Sequence, residues 1–215
     1  MDTERTEGRW RRPGTQARSQ TTQDAFLDAA ERLFAREGVA ATAVTEVAAE
    51  AGRSIGSLYH HFDNKETLVG AVVDRVLARL EAGVDLGLDP TLVDGRSISD
   101  LVAAYVRASL RSEADRPGAK RTVVEVALSD DETRRRYAAM RRRLDDGLVA
   151  LFLDRRDEIG HPDPETACRF AVDQLTGMLA ARLDPMRMPT QLERADDDAF
   201  VAEARASVSA YLRLA

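Results

Sequence analysis

The 215-residue sequence has few of the residues that define several large protein classes. Cys168 is its only cysteine, so no internal disulfide can form. No apolar run approaches the ~20 residues that span a bilayer, and the polar amino-terminal stretch lacks the apolar core of a signal peptide. Aromatic residues make up only 5% of the chain, and no aromatic cage for a cation is visible. We therefore expect a cytoplasmic protein without a membrane partner.

The sequence also lacks a recognisable catalytic or metal-binding constellation. His60 and His61 are adjacent, so on a helix they point to different sides and cannot chelate as an i, i+4 pair does. His161 lies in a proline-rich loop with no second ligand at metal spacing. Cys168 falls on a predicted helix, where a cysteine is more often a small buried hydrophobe than a nucleophile. We expect no metal, no cofactor and no enzymatic activity.

The residues that are abundant favour a helical globular protein. Hydrophobic residues make up 44% and charged residues 32% of the chain, and there are only seven prolines. The formal net charge is −6, and residues 1–70 hold nine basic against eleven acidic side chains. This balance does not exclude nucleic-acid binding, because affinity depends on the phosphates contacted rather than on total charge.

One stretch, residues 42–68 (TAVTEVAAEAGRSIGSLYHHFDNKETL), reads as two short helices joined by a tight turn. Val44, Val47, Ala48 and Ala51 recur at helical spacing and share one face. Gly52 can take the left-handed conformation that ends a helix, and Ser54 can cap the next one. The pattern predicts a helix-turn-helix over about residues 44–63.

The second of these helices, from about Ile55 to Phe62, has two different sides. Leu58 and Phe62 are four residues apart and share a predicted buried face. The remaining side chains are small, hydroxyl-bearing or aromatic, which is unusual for a plain solvated surface. In a helix-turn-helix, this second helix lies in the DNA major groove with its amino-terminal residues against the bases.

The strings AFLDAAERLFAREGVAAT and AGRSIGSLYHHFDNKETL resemble the signature of the TetR family of transcriptional regulators, over roughly residues 21–81. The resemblance implies an all-α fold, with an N-terminal three-helix helix-turn-helix domain and a C-terminal helical ligand-binding and dimerisation domain. It implies that Tyr59 and His61 touch phosphates or bases, and that Lys65 holds a phosphate at the start of helix four. The full set of expected DNA-binding residues is Thr45, Ser54, Ile55, Gly56, Ser57, Tyr59, His60, His61 and Lys65.

Two positions depart from the family pattern. Ala43 stands where the family often has a Thr or Ser that caps helix two, so Glu46 lacks its capping-box partner; Thr42 is an alternative cap. Arg53 replaces the usual apolar turn residue, which adds a phosphate contact or simply extends to solvent.

We expect three regions: a flexible tail over residues 1–20, a DNA-binding domain over 21–81, and a helical ligand-binding and dimerisation domain over 82–215. Helix one should run from near Thr22 to Gly38 and helix four from about Asn64 to Leu80, followed by a turn-rich break over 82–100. In the tail, four arginines either contact DNA or are solvated: Arg9, Arg11, Arg12 and Arg18.

The residue pattern of the carboxy-terminal half predicts five helices. Their expected spans are about 99–111, 120–128, 131–159, 164–183 and 197–214. Arginine runs at 134–136 and 141–143 are read as solvated faces paired with acids, or as a second nucleic-acid surface. The resemblance implies a homodimer through the last two helices; the alternative is that these helices only close the monomer core. The small residues that would allow close contact between helices are Ala171, Gly177, Ala180, Ala204 and Ala210.

The resemblance also implies an unknown small-molecule effector in this half. Its candidate contacts, each equally well explained as core, are Tyr105, Met140, Phe152, Phe170, Gln174 and Met178. The sequence thus favours a ligand-responsive repressor that binds a palindromic operator in double-stranded DNA as a homodimer. The alternative is a helical small-molecule-binding or scaffold dimer that no longer reads DNA. The effector, the operator and the choice between repression and activation are not determined by the sequence.

Overall fold

The computed structural model describes residues 13–183 and 196–214, with the backbone alone for residues 13–18. These residues form α-helices and one short 3-10 turn, with no β-sheet, so the expected all-α fold is confirmed. Arg9, Arg11, Arg12 and the side chain of Arg18 lie outside the described part. The helices are α1 (Pro13–Glu37), α2 (Val44–Glu50), α3 (Ile55–His61), α4 (Lys65–Gly87), α5 (Pro90–Val93), α6 (Ile98–Asp115), α7 (Ala119–Ala127), α8 (Asp131–Leu153), α9 (Pro164–Leu183) and α10 (Asp197–Leu212).

The chain divides into two compact units, the first ending at Val72 and the second beginning at Val73. This division falls inside α4, and the domain boundary expected after residue 81 stays a prediction. In the first unit α1, α2 and α3 pack on one another. Its core is made of large side chains at helical spacing, all at most 3% exposed: Phe26, Leu33, Phe34, Val47, Leu58, Phe62 and Leu68.

Helix α1 begins at Pro13 rather than near Thr22, so the expected helix start is wrong. The flexible tail expected over residues 1–20 stays a prediction. Proline suits the first position of a helix, since it has no N–H to leave unsatisfied and its φ is already helical. Beyond Gly14 the segment has no helix breaker, although it also has no apolar stripe to reveal a helix.

Helix α4 continues to Gly87, so the break expected from residue 82 is wrong over its first six positions. Gly83 costs such a helix about 1 kcal/mol relative to alanine. Packing offsets this cost, because Val84 is 5% exposed and Asp85 pairs with Arg143 of α8 at 2.6 Å. The rest of the expected break contains the short helix α5, capped by Asp89.

The second unit has its core where α6, α8, α9 and α10 pack together, with α7 on α8. Its largest fully buried side chains are Phe152, Phe200, Leu77, Ile98, Leu175 and Leu212. Helix α8 ends at Leu153 rather than near residue 159, and the 3-10 turn Arg156–Glu158 follows it. None of the helices in the described ranges is both long and apolar enough to cross a membrane.

The arginine runs of α8 pair with acidic side chains, as one of the two expectations had it. Arg134 and Arg135 bind the carboxylates of Asp131 and Glu132 one turn earlier. Others reach α4 or stay on α8, in the pairs Arg136–Asp74, Arg143–Asp85 and Arg141–Asp145. Five of the six arginines in these runs thus have a carboxylate partner in the second unit, which favours paired, solvated faces over a second nucleic-acid surface.

Candidate nucleic-acid interface

The turn between α2 and α3 has the geometry that its sequence predicts. Gly52 has φ = 63°, in the left-handed region where glycine has no steric cost. The N–H of Arg53 donates to the Ala48 carbonyl and that of Gly52 to Ala49, both at 3.0 Å. These two bonds form a Schellman motif, which satisfies the last carbonyls of α2 and turns the chain into α3.

Ser54 caps α3, as expected. Its backbone is extended, and its Oγ accepts a hydrogen bond from the Ser57 N–H at 3.1 Å. The same Oγ still carries a hydroxyl hydrogen that can donate to a further acceptor. The cap therefore fixes the start of α3 and leaves one donor at its amino-terminal end.

Helix α3 buries one side and exposes the other. Leu58 and Phe62 are 0% and 2% exposed, whereas Tyr59 is 51% and Ile55 38% exposed. Large apolar or aromatic side chains that are left this exposed on a packed helix mark a surface available for contact. Among the other expected contacts, Gly56 and His60 are exposed and Ser57 is half-buried.

The His61 side chain is less exposed to solvent than the sequence predicts. It is half-buried, and its ring centroid lies 6.0 Å from that of Phe26 in α1 and 6.4 Å from that of Phe62. It also meets the His60 ring edge-on, with centroids 5.5 Å apart. Packing of this kind fixes the imidazole, so any contact that His61 makes with a partner uses only the rim of the ring.

The amino terminus of α4 is built by Asn64, which the sequence reading did not single out as a cap. Its Oδ1 accepts from both the backbone N–H and the hydroxyl of Thr67, each at 2.8 Å. Lys65 is half-buried, and its Nζ donates to the Ala40 carbonyl at 3.2 Å. The signal for the cap was present, since an asparagine directly before an apolar-periodic helix is a common N-cap.

Two groups at the start of α2 differ from the expectation. Glu46 makes its half of a capping box, accepting from the Ala43 N–H at 2.7 Å, while Ala43 has no side-chain oxygen to return the bond. Thr42 does not substitute as the cap; it is buried, and its hydroxyl donates back to the Gly38 carbonyl at 2.9 Å. Thr45 is exposed on the first turn of α2.

Positive charge in the first unit is partly neutralised by its own acids. Arg32 pairs with Glu50 at 3.1 Å and Arg36 with Glu37 at 2.8 Å. Glu37 holds the pKa of the exposed Arg36 above its ordinary value, chiefly through this hydrogen bond. Arg53, by contrast, is exposed at the turn that leads into α3.

In the second unit, the six expected ligand contacts do not line one cavity. Phe152 is fully buried in the core and Met140 is 7% exposed, whereas Phe170 is 56% exposed on α9. Gln174 faces α10, where its Nε2 donates to Ser207 at 2.6 Å. Tyr105 and Met178 are half-buried against the core. Helical spacing placed these residues on stripes but could not show which neighbouring helix each stripe meets.

A different polar cluster lies between α6, α8 and α9. Arg141 donates to Asp145 at 2.7 Å and to the Thr176 hydroxyl at 3.1 Å, and the Tyr105 side chain lies near it. Burial raises the pKa of the nearby Tyr137 phenol. Within the described residues, no group of three His, Cys, Asp or Glu side chains is placed to hold a metal ion.

The structure and sequence resemble known bacterial regulators. The family model "Bacterial regulatory proteins, tetR family" matches residues 26–72, which include α2 and α3. The HTH-type transcriptional regulator Rv1255c of Mycobacterium tuberculosis is 29% identical over 191 residues, covering 86% of this chain and 84% of the relative. The HTH-type transcriptional regulator Mb3439c of Mycobacterium bovis is 34% identical over 127 residues, covering 49% of this chain and 68% of the relative.

A solved structure gives the same fold. A TetR-family transcriptional regulator from Mesorhizobium loti superposes with a TM-score of 0.64 at 21% identity, covering 91% of this chain and 97% of that one. These relatives are transcriptional regulators and not enzymes, and they do not support the alternative of a scaffold that does not read DNA. The chain therefore belongs to the TetR family and is a DNA-binding transcriptional regulator.

Proposed function

We propose that this regulator is a repressor that binds a palindromic operator as a homodimer and responds to a small molecule. The observation that carries the proposal is the two-sided character of α3. Its buried side chains, Leu58 and Phe62, hold the helix on the first unit, and its exposed side presents Tyr59 at 51% exposure. A rigidly seated helix with exposed hydrogen-bonding groups is what major-groove recognition needs.

In this proposal the amino-terminal half of α3 reads the bases. Gly56 has no side chain to hinder close approach, and Ser57 can donate or accept a hydrogen bond at a base edge. Ile55 provides an apolar contact suited to a thymine methyl group. Tyr59 and His60 are exposed beside them. The helix thus combines direct readout with a surface that can lie close to the groove floor.

The remaining expected contacts are assigned to phosphates, which set the position of the protein on the duplex. Lys65 stands at the start of α4, where the helix dipole and free N–H groups already favour an anion. Its ammonium has three donors, of which the Ala40 carbonyl takes one. The hydroxyls of Thr45 and Ser54 and the rim of His61 would add weaker contacts around it.

The homodimer is proposed to form through α9 and α10. Phe170 is exposed on α9, and its ring centroid lies 5.1 Å from that of Tyr211 on α10. Gly177 and Ala210 are exposed as well, which would permit close helix contact, whereas Ala171 and Ala204 are buried in the monomer core. An exposed aromatic side chain beside small residues on paired helices is typical of a helix-packing interface.

The effector is proposed to bind in the second unit, as is typical of the family. Among the six expected contacts, Tyr105 is the strongest candidate for an effector contact, because it belongs to the polar cluster around Arg141. Helix α8 carries that arginine and is tied to α4 through Arg136–Asp74 and Arg143–Asp85. A ligand that displaces α8 would therefore act on α4, which is one continuous helix from Lys65 to Gly87. Met140, Phe152, Phe170, Gln174 and Met178 stay weaker candidates.

The test is binding to DNA from immediately upstream of the protein's own gene, with wild type and Tyr59→Ala, at two salt concentrations. We expect saturable, sequence-dependent and salt-sensitive binding that Tyr59→Ala weakens by at least about tenfold, as expected for loss of a base or phosphate contact. Leu128→Ala is the matched control, because Leu128 is 80% exposed and lies in the second unit. If Tyr59→Ala bound a selected operator as tightly as wild type, the assignment of α3 as reading head would be wrong.

A further inference from the structure

A groove lined by arginines lies between α6 and α10, outside every site described so far. Its volume is about 450 Å³, within the range of small-molecule sites. Its walls bear four guanidinium groups against one carboxylate, a formal charge of +3 on a chain whose net charge is −6. The lining residues are Arg96, Asp100, Ala103, Ala104, Arg107, Arg111 and Arg205.

Most of this groove is one stripe of α6. Asp100, Ala103, Ala104, Arg107 and Arg111 recur at three- and four-residue spacing, which places them on one face over about 16 Å of helix. The two alanines form a low floor between longer side chains. The stripe thus provides a channel with an apolar base and cationic walls.

Hydrogen bonds fix part of the groove on both of its sides. Arg205 of α10 donates from Nε to the Ser99 hydroxyl at 3.1 Å. This bond does not use its two terminal nitrogens. Arg155 donates to the backbone carbonyls of Arg96 and Val93, so the segment before α6 is fixed. Asp100 is bound by the Ser97 hydroxyl at 2.9 Å, and this bond occupies one of its oxygens.

The acid that pairs with Arg107 is a weak partner. Asp198 approaches Arg107 at 3.8 Å, but its side chain is 95% exposed, and an exposed pair of this kind contributes about 0–1 kcal/mol. Arg134 and Arg141 of α8, in contrast, have close carboxylate partners. Four guanidinium groups that are opposed only by Asp100 and by the exposed Asp198, among the described residues, favour an incoming anion of high charge.

We propose that this groove binds a phosphate-bearing small organic molecule. A phosphate monoester carries a charge between −1.5 and −2 at neutral pH, together with three acceptor oxygens, and guanidinium groups bind phosphate in a bidentate manner. The volume exceeds what one phosphate fills, so an organic body would lie on the floor of Ala103 and Ala104. The proposal concerns binding alone and does not depend on the operator or on the dimer.

The experiment is titration calorimetry of the full chain with p-nitrophenyl phosphate at low ionic strength. We expect one saturable site per chain. The double variant Arg107→Gln/Arg111→Gln should weaken binding by about tenfold to a hundredfold, since each charge-assisted hydrogen bond is about twice as strong as a neutral one. Both side chains are exposed, so the variant should keep the wild-type circular dichroism and melting temperature.

Two matched variants separate this groove from other cationic surfaces. Arg142→Gln removes an exposed arginine of α8 outside the groove, and Lys120→Met removes a lysine of α7 that does not line it. Both variants should bind the probe within about twofold of wild type. If the Arg107→Gln/Arg111→Gln variant folds poorly, Arg205→Lys replaces it, because lysine keeps the charge but not the fork.

Three outcomes would overturn the proposal. One is the absence of saturable binding, and another is an equal loss in Arg142→Gln or no loss in the groove variant. The third is equal affinity for p-nitrobenzoate, which would show that the groove takes any aromatic anion. Weaker binding of a random duplex by the groove variant, with p-nitrophenyl phosphate unaffected, would instead identify a nucleic-acid surface and also refute the assignment.

Discussion

Replacing Lys65 by methionine tests the proposed phosphate contact at the start of α4 quantitatively. Methionine keeps the length and apolar stem of the side chain while removing its charge. Each phosphate neutralised by a lysine releases counterions, so the logarithm of the binding constant falls with the logarithm of salt concentration by about 0.9 per contact on B-form DNA. A homodimer has two copies of Lys65, so Lys65→Met should reduce this slope by about 1.8.

The structure also predicts a second, smaller effect of this change. Lys65 donates to the Ala40 carbonyl at 3.2 Å, and losing a hydrogen bond of this kind costs roughly 0.5–1.5 kcal/mol of stability. In a chain of this size such a change shifts the melting temperature by a few degrees, about 2–4 °C per kcal/mol. Lys65→Met should therefore be measured well below its melting temperature, so that lost folding is not counted as lost binding.

The assay is fluorescence anisotropy of a labelled operator at four salt concentrations from about 50 to 200 mM, where the salt effect is large. The sequence offers a matched control in Lys120, the only other lysine of the chain, which lies on α7. Lys120→Met should leave the slope unchanged. A slope for Lys65→Met equal to that of wild type, with the operator still bound specifically, would refute the phosphate contact.

Two further changes test local features of the fold. Ala43→Ser should add the missing half of the capping box opposite Glu46, since Ala43 already has the extended backbone of an N-cap. The substitution should stabilise the protein by about 1 kcal/mol. A melting temperature at or below that of wild type in calorimetry would contradict this expectation. Phe170→Asp should prevent dimerisation, because it places a charge on the exposed face of α9 in the proposed dimer interface. Light scattering should then find a monomer. The control variant Arg142→Asp on α8 should stay dimeric.

The helix-turn-helix could be predicted from the sequence because local rules determine it. Gly52 supplies a left-handed turn, Ser54 supplies a cap, and the four-residue spacing of Leu58 and Phe62 identifies the buried side of α3. None of these features needs a partner from a distant part of the chain. The exposed side of the same helix follows by elimination, except at His61, where packing on Phe26 was not visible in the spacing.

Features that depend on distant contacts could not be predicted in the same way. The extension of α4 through Gly83 buries Val84 and places Asp85 beside Arg143, which is far away in sequence. Phe170 looked like a core residue because it shares a stripe with buried neighbours, yet it is 56% exposed. The arginine groove joins Ser99 and Arg205, separated by 106 positions. Helical periodicity gives the faces of each helix but not the order in which these faces meet.

The placement of the charges resolves the conflict between an acidic chain and a DNA-binding function. Of the cations in the first unit, Arg32 and Arg36 bind carboxylates of the same unit, so they add little to the field that a duplex meets. Non-specific affinity depends on such a field and should therefore be weak. In the interface that we propose, specific affinity depends instead on fixed groups on α3 and at the start of α4, whose positions are set by caps rather than by charge. An acidic regulator with this arrangement gains selectivity, because it is penalised on every duplex that does not match its operator.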